Sequence, residues 1–151
     1  MNFIGFWKFH SMGTYTDDGL VYLSADEYIN SDMSYIDTSD EEAVADEMKE
    51  RRMTVGTRLK ICEDGKAYML APVPEGVSDE EVAEAVKEGR VTLMDGMIVA
   101  EEGKAWELRD GELWYNTGIE GEVLGEKTDG FIKPIDDEGY FNFLNVRFVK
   151  E

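Results

Sequence analysis

Apolar and polar residues alternate with a period of two through most of the chain, the repeat that a half-buried β-strand requires. Leu59 and Ile61 fall on one face in TRLKI, as do Tyr68 and Leu70 in KAYML, Trp106 and Leu108 in KAWELR, and Leu113 and Tyr115 in ELWYN. Turn signals punctuate these runs: Asp64-Gly65, Asp95-Gly96, Glu102-Gly103, Asp110-Gly111, Asp129-Gly130 and Glu138-Gly139. Both central residues of a type I′ turn need positive φ, which Asp and Gly tolerate, so these pairs predict hairpins and a meander. Two segments are more apolar than the rest. NFIGFWKFHSMG, Asn2 to Gly13, reads as an opening strand built around Gly5 and Trp7. GYFNFLNVRFVK, near the end, is apolar on both faces, as a strand covered on both sides would be. About seven or eight strands are expected in all.

Two helices interrupt the pattern, each opening on a capping box in which a serine precedes a glutamate by three positions. Ser39 with Glu42 predicts a helix over 40–53, with Val44 and Met48 one turn apart. Ser78 with Glu81 predicts another over 78–88, with Val82, Ala85 and Val86 on one side and Gly89 as a stop. Their apolar stripes are narrow, which places them on a surface or across an opening. A third box, Ser24 with Glu27, permits a short helical turn in the mixed stretch from Thr14 to Asp37.

With 151 residues the chain is expected to be one domain over 1–151. Its 34 acidic and 15 basic residues give a net charge of −19, which repels phosphate backbones and anionic membranes and argues against nucleic-acid binding. The acidic residues are spread along the chain, so the plain reading is a solvated surface; the sharper one is an acidic face for a basic protein partner or a mimic of nucleic acid. No apolar run approaches the length of a membrane span, and no basic leader precedes an apolar core and cleavage site. The expectation is a cytoplasmic protein without membrane insertion, unless an export signal has been trimmed. Cys62, the single cysteine, ends an apolar run and reads as a buried, inert thiol.

Gly5-Phe6-Trp7 near the start and Arg147 near the end resemble the calycin superfamily, the lipocalins and intracellular fatty-acid-binding proteins. Phe3, Gly5, Trp7, Lys8 and Ser11 are similar to the start of the fatty-acid-binding proteins, and the hairpin Trp106 to Asn116 resembles one in bacterial lipocalin-like domains. The resemblance implies a single antiparallel up-and-down β-barrel of about eight strands with two short helices. It also implies that Arg147 closes the barrel over Trp7, a cation–π contact of roughly 0.5 to 2 kcal/mol. The chain departs from that family at three places. Arg147 is followed by Phe148 and Val149 where the family has Arg-x-Tyr, Ser11 runs into MGTYTDD, and the helix at 78–88 stands where the family has a short turn.

His10 is the only histidine, which removes Ser-His-Asp and Cys-His catalysis and any multi-histidine metal site. Alternation puts it on the face opposite Trp7. The carboxylate runs, such as Asp136-Asp137-Glu138, lack the spacing of a calcium loop. No motif calls for a catalytic residue, a metal or a cofactor. The basic cluster Lys49 to Lys60 reads either as cations in the last turn of a helix or as an anion-receiving rim. Tyr68, Trp106 and Tyr115, with Arg147, are the candidate ligand-binding residues, and Gly5, Trp7 and Arg147 the candidate closure. The expected function is therefore non-catalytic binding of a small hydrophobic or amphipathic ligand inside the barrel. The alternative is a protein–protein interaction module with a filled barrel and an acidic docking surface. An enzyme built on carboxylates and tyrosines ranks last.

Overall fold

The structure, a computed structural model, describes residues 2–100, 103–118, 121–123 and 125–151. It is mainly β, with 40% strand and 21% helix. In chain order the elements are β1 (Gly5–Thr16), β2 (Gly19–Leu23), α1 (Ala25–Ile29), α2 (Glu41–Gly56), β3 (Arg58–Ile61), β4 (Lys66–Ala71), α3 (Asp79–Lys87), β5 (Leu93–Met94) and β6 (Met97–Val99). They continue with β7 (Lys104–Arg109), β8 (Glu112–Asn116), β9 (Gly121–Val123), β10 (Glu126–Thr128), β11 (Phe131–Ile132), β12 (Phe141–Phe143) and β13 (Val146–Lys150). The large sheet runs β11-β8-β7-β4-β3-β1-β13-β12 and curls into an open half-barrel, with three helices accompanying it.

The long opening strand organises this sheet. The first part of β1 pairs with β3, from Gly5 opposite Ile61 to Lys8 opposite Arg58. The last part pairs with β2 on the same edge, and the other edge pairs with β13, the last strand. A bulge between Phe9 and Ser11 shifts the β1–β13 register. Phe9 lies opposite Phe148 before it, and Ser11 opposite Arg147 after it. A bulge inserts one residue on one strand only and re-aims the side chains beyond it.

Two predicted turns form as the chemistry requires. Asp95 and Gly96 have φ of 53° and 78°, and Asp110 and Gly111 have φ of 54° and 80°, so both pairs make the left-handed turns of tight hairpins. The closing segment differs from expectation. It is a hairpin and not one strand, because Leu144 and Asn145 adopt φ of 51° and 66° and join β12 to β13. Its two-sided apolarity comes from two short strands, each with one inward face: Phe141 pairs with Phe148, and both are buried. Leu144, at the turn, is 80% exposed.

The core fills the concave side of the sheet. Trp7 meets Phe141 edge-on at 6.0 Å, and Tyr115 meets Phe141 at 5.6 Å in the same way. Phe3, Leu59, Ile61, Ala67, Leu113 and Phe148 complete the cluster. Tyr68 and Leu70 do not join it. Leu59 lies opposite Met69 and Ile61 opposite Ala67, so pairing with β3 turns Ala67 and Met69 toward this cluster and the two expected residues to the other face, where Leu70 is nonetheless fully buried. Leu108, expected beside Trp106, is 55% exposed.

The helices follow their caps. α3 begins at Ser78, whose hydroxyl accepts from the Glu81 amide, and Gly89 follows it at a φ of 75°. α1 carries the full capping box of Ser24 and Glu27. α2 is capped by Asp40, one residue later than the Ser39 box predicts, and runs three residues past the expected end at 53. The Asp40 carboxylate accepts from the amides of Glu42 and Ala43, while the Ser39 hydroxyl donates to Asp37. A carboxylate at this position also faces the positive end of the helix dipole, which favours it over a hydroxyl.

Candidate functional site

The residues singled out from the sequence do not converge. Trp106 and Tyr115 are a cross-strand pair on β7 and β8, but Tyr115 is 4% exposed and packed among core rings. Trp106 is half-buried against the same core and donates its indole N–H to the Cys62 carbonyl at 2.9 Å. Tyr68 points away from the core, where its ring lies under Gly103. A Cβ at Gly103 would come within 2.7 Å of that ring.

Arg147 does not cover Trp7. Next to core-facing Phe148 on β13 it points to the other side of the sheet, and its guanidinium lies 3.7 Å from the centre of the Tyr22 ring and 5.2 Å from that of Tyr140. Asp136 Oδ2 is 2.9 Å from Arg147 Nε, and Glu138 is 3.6 Å from its Nη1, so carboxylates already neutralise it. His10 stacks on Tyr140 at 4.2 Å. Trp7, wholly buried, donates its indole N–H to the Phe3 carbonyl. First and last strands are joined nonetheless, by the ladder from Trp7 opposite Lys150 to Met12 opposite Val146. Gly5, at a φ of 124°, leaves room for the Lys150 ammonium, which would lie 3.0 Å from a Cβ there.

The basic cluster disperses into separate contacts. Arg52 pairs with Glu75 at 2.8 Å, Lys60 with Asp95 at 2.6 Å, and Arg58 with Glu151. These pairs leave no anion-receiving rim, and because α2 runs to Gly56 no cation stands in its last turn. Cys62 is half-buried, and burial pushes its thiol above the ordinary range, away from the reactive thiolate. Among the described residues, no three His, Cys, Asp or Glu side chains gather where a metal could bind, and no helix is long and apolar enough to cross a membrane.

Arg51 does what the cluster was not expected to do. It is 2% exposed, in the body of α2, and it organises the irregular chain before that helix. Its guanidinium donates to the carbonyls of Tyr28, Ile29, Ser31 and Asp32 at 2.8–3.2 Å and to the Tyr35 hydroxyl at 2.8 Å. Its Nε donates to Glu47 at 3.0 Å, one turn back. Burial works against the guanidinium charge, but the bonds to Tyr35 and Glu47 outweigh it and hold Arg51 above its ordinary value. The Tyr35 hydroxyl and Arg51 together lower the Glu47 carboxyl below the usual range. The planar fork of donors fits this role, since it fastens several carbonyls of one loop at once.

The loop so fastened forms one wall of a groove of about 440 Å³, and the β1–β2 hairpin forms the other. Met12, Val21 and Leu23 line it from the hairpin, and Tyr28, Asp32 and Tyr35 from the loop. On the concave side of the sheet, Trp7 and Phe141 at the centre are fully buried. Asp32 and Arg51, the latter paired with Glu47, are the charged residues lining the groove, and in sequence residues 17–50 hold twelve acidic side chains against the single Lys49. Elsewhere several cations stand in ion pairs, such as Arg109 with Asp129 and Lys133 with Glu112. In comparisons with known proteins, no family model, curated protein or solved structure matches the chain.

Proposed function

We propose that the protein is a non-catalytic binding module that works from its surface, taking a basic protein partner on its acidic side. The observation that carries this reading is the filled concave face. Trp7, Phe141, Leu59, Ile61 and Leu113 are each at most 2% exposed and occupy the space an internal ligand would need. Small β-barrels either enclose a ligand or are filled by side chains, and these side chains favour the second use. The uneven charge between residues 17 and 50 then favours a cationic partner, since complementary potential speeds encounter and rejects acidic competitors.

The same reading takes the half-barrel as returning on itself, in the manner of the calycins. β11 pairs with β8 on one side, and a few residues later Ile135 bridges to Phe141 on β12. Asn142 N–H donates to the Pro134 carbonyl at 2.8 Å, which supports the same closure. A ring closed here would leave the core packed and place any partner outside it.

The test is a fluorescence anisotropy titration of the whole protein with labelled peptides that share their apolar residues and differ in charge. The basic peptide is expected to bind, with affinity falling as salt rises. Equal binding of basic and acidic peptides, or of neither, contradicts a basic partner. A small apolar molecule retained in native mass spectrometry, across expression hosts, would restore the internal-ligand reading.

A further inference from the structure

The β1–β2 hairpin ends in an arm whose outer edge has no partner strand among the described residues. Among the described residues β2 pairs with β1 alone, from Met12 opposite Leu23 to Thr16 opposite Gly19 across the turn at Asp17 and Asp18. In a two-residue hairpin the pair flanking the turn exchanges hydrogen bonds, and every second pair after it does the same. Thr16 with Gly19, Thr14 with Val21 and Met12 with Leu23 therefore hold the ladder. The backbone N–H and C=O of Leu20 and Tyr22 face the open edge. Among the described residues, no hydrogen bond from outside the ladder reaches those four groups. Tyr15 is 75% exposed, Leu20 40% and Val21 36%, so the arm also shows apolar surface.

An open strand edge with exposed apolar neighbours is a template for another strand, and natural proteins usually blunt it with lysine, proline or a cover. None of these stands on β2, whose sequence is GLVYL. What guards it is negative charge: Asp17 and Asp18 at the tip, and Asp32 in the lining of the groove. That charge works against a second copy of this acidic chain and favours a cationic strand.

We infer that the open edge of β2 receives an extended basic peptide segment, which adds as a strand to Leu20 and Tyr22. Its apolar side chains enter the groove between Val21, Leu23 and Tyr28, and its Lys or Arg side chains, on the opposite face, meet Asp17 and Asp18 at the tip. Main-chain bonds supply affinity, and alternate side chains supply specificity. Arg51 serves as a positioning residue, because it fixes the loop that forms the far wall of the groove. This inference rests on the basic-partner reading above and states where and how that partner binds.

The probe is a labelled peptide of alternating Lys and Val, titrated against the intact protein in three forms. One is unmodified; the other two carry backbone N-methyl groups at alternate residues, on one edge or on the other. Methylation removes donors from the peptide and leaves the protein untouched, so a misfolded variant cannot mimic the result. Blocking the pairing edge is expected to weaken binding about tenfold or more, and blocking the other edge to change it little. Leu20→Pro, checked by circular dichroism, should show the same loss with the unmodified peptide, because it removes the outward N–H. Equal binding of all three peptides would overturn strand addition while leaving the basic-partner reading in place. Absence of binding by the unmodified peptide would overturn both. Self-association of the protein through this edge, seen by sedimentation and abolished by Leu20→Pro, would also overturn the inference.

Discussion

Arg51→Met tests whether one buried guanidinium holds the groove wall. The substitution keeps most of the side-chain volume and deletes all the polar contacts. Those contacts are bonds to four backbone carbonyls, to the Ser31 and Tyr35 hydroxyls, and to Glu47. A hydrogen bond to a charged group is worth about 1.5 to 3 kcal/mol, but such values do not add when they share one side chain. Breaking a buried pair by removing one partner costs about 3 to 5 kcal/mol. Here the Glu47 side chain keeps 18% of its exposure, and Tyr28, Asp32 and Tyr35 border a groove open to water, so the orphaned groups rehydrate in part. The lower end applies, about 3 kcal/mol. Two measurements read it: urea unfolding for the global loss, and amide hydrogen exchange for its location. Exchange is expected to rise across residues 25–35 while β1 and β13 keep their protection. Arg51→Lys should recover only part of the loss, since three donors on a flexible stem replace the fork. A change below about 0.5 kcal/mol with unaltered exchange in 25–35 would refute the reasoning.

Trp7→Ala, at the centre of the core, is expected to cost about 3 to 5 kcal/mol by urea unfolding; a near-silent variant would contradict its place against Phe141. Asp40→Ala should cost about 1 kcal/mol and lower the helical signal, whereas Ser39→Ala should do little, because Asp40 is the cap. Leu144→Asn should stabilise by about 1 kcal/mol, since a leucine at a φ of 51° is strained and its 80% exposed side chain packs on little. Glu47, with its carboxyl lowered in the folded protein, contributes stability above the ordinary glutamate range that is lost as pH falls through the lowered value. Glu47→Gln should therefore flatten the acid side of the stability profile, and an unchanged profile would refute the Tyr35–Glu47–Arg51 linkage.

Where local chemistry decides, the sequence was legible. Asp-Gly pairs at 95–96 and 110–111 form their hairpins, because few other residues accept two consecutive positive φ values. Ser24 and Ser78 cap helices where their boxes stand, and Leu59, Ile61, Leu113 and Tyr115 lie inside. Legibility ends where long-range pairing decides. Tyr68 and Leu70 look like an inward face until the register with β3 sends Ala67 and Met69 inward. The break at Leu144-Asn145 carries no glycine, and only Asn145 hints at a turn. The resemblance places Arg147 over Trp7, but Phe148 beside it on β13 faces the core, so alternation turns Arg147 to the opposite face, toward Tyr22. Arg51 was hidden in a run of charges, because nothing local distinguishes an exposed arginine from one that collects carbonyls some twenty residues upstream. The groove had one signal that was available: the near-absence of cations between residues 17 and 50.

Amide hydrogen exchange at Leu20 and Tyr22, read residue by residue with and without the alternating Lys and Val peptide, tests the surface-docking account most directly. In the free protein both amides should exchange quickly, while Val21 and Leu23, bonded to β1, are slower. With peptide bound, Leu20 and Tyr22 should become protected. Amides already protected in the free protein, or left unprotected when the peptide is shown to bind, would contradict it.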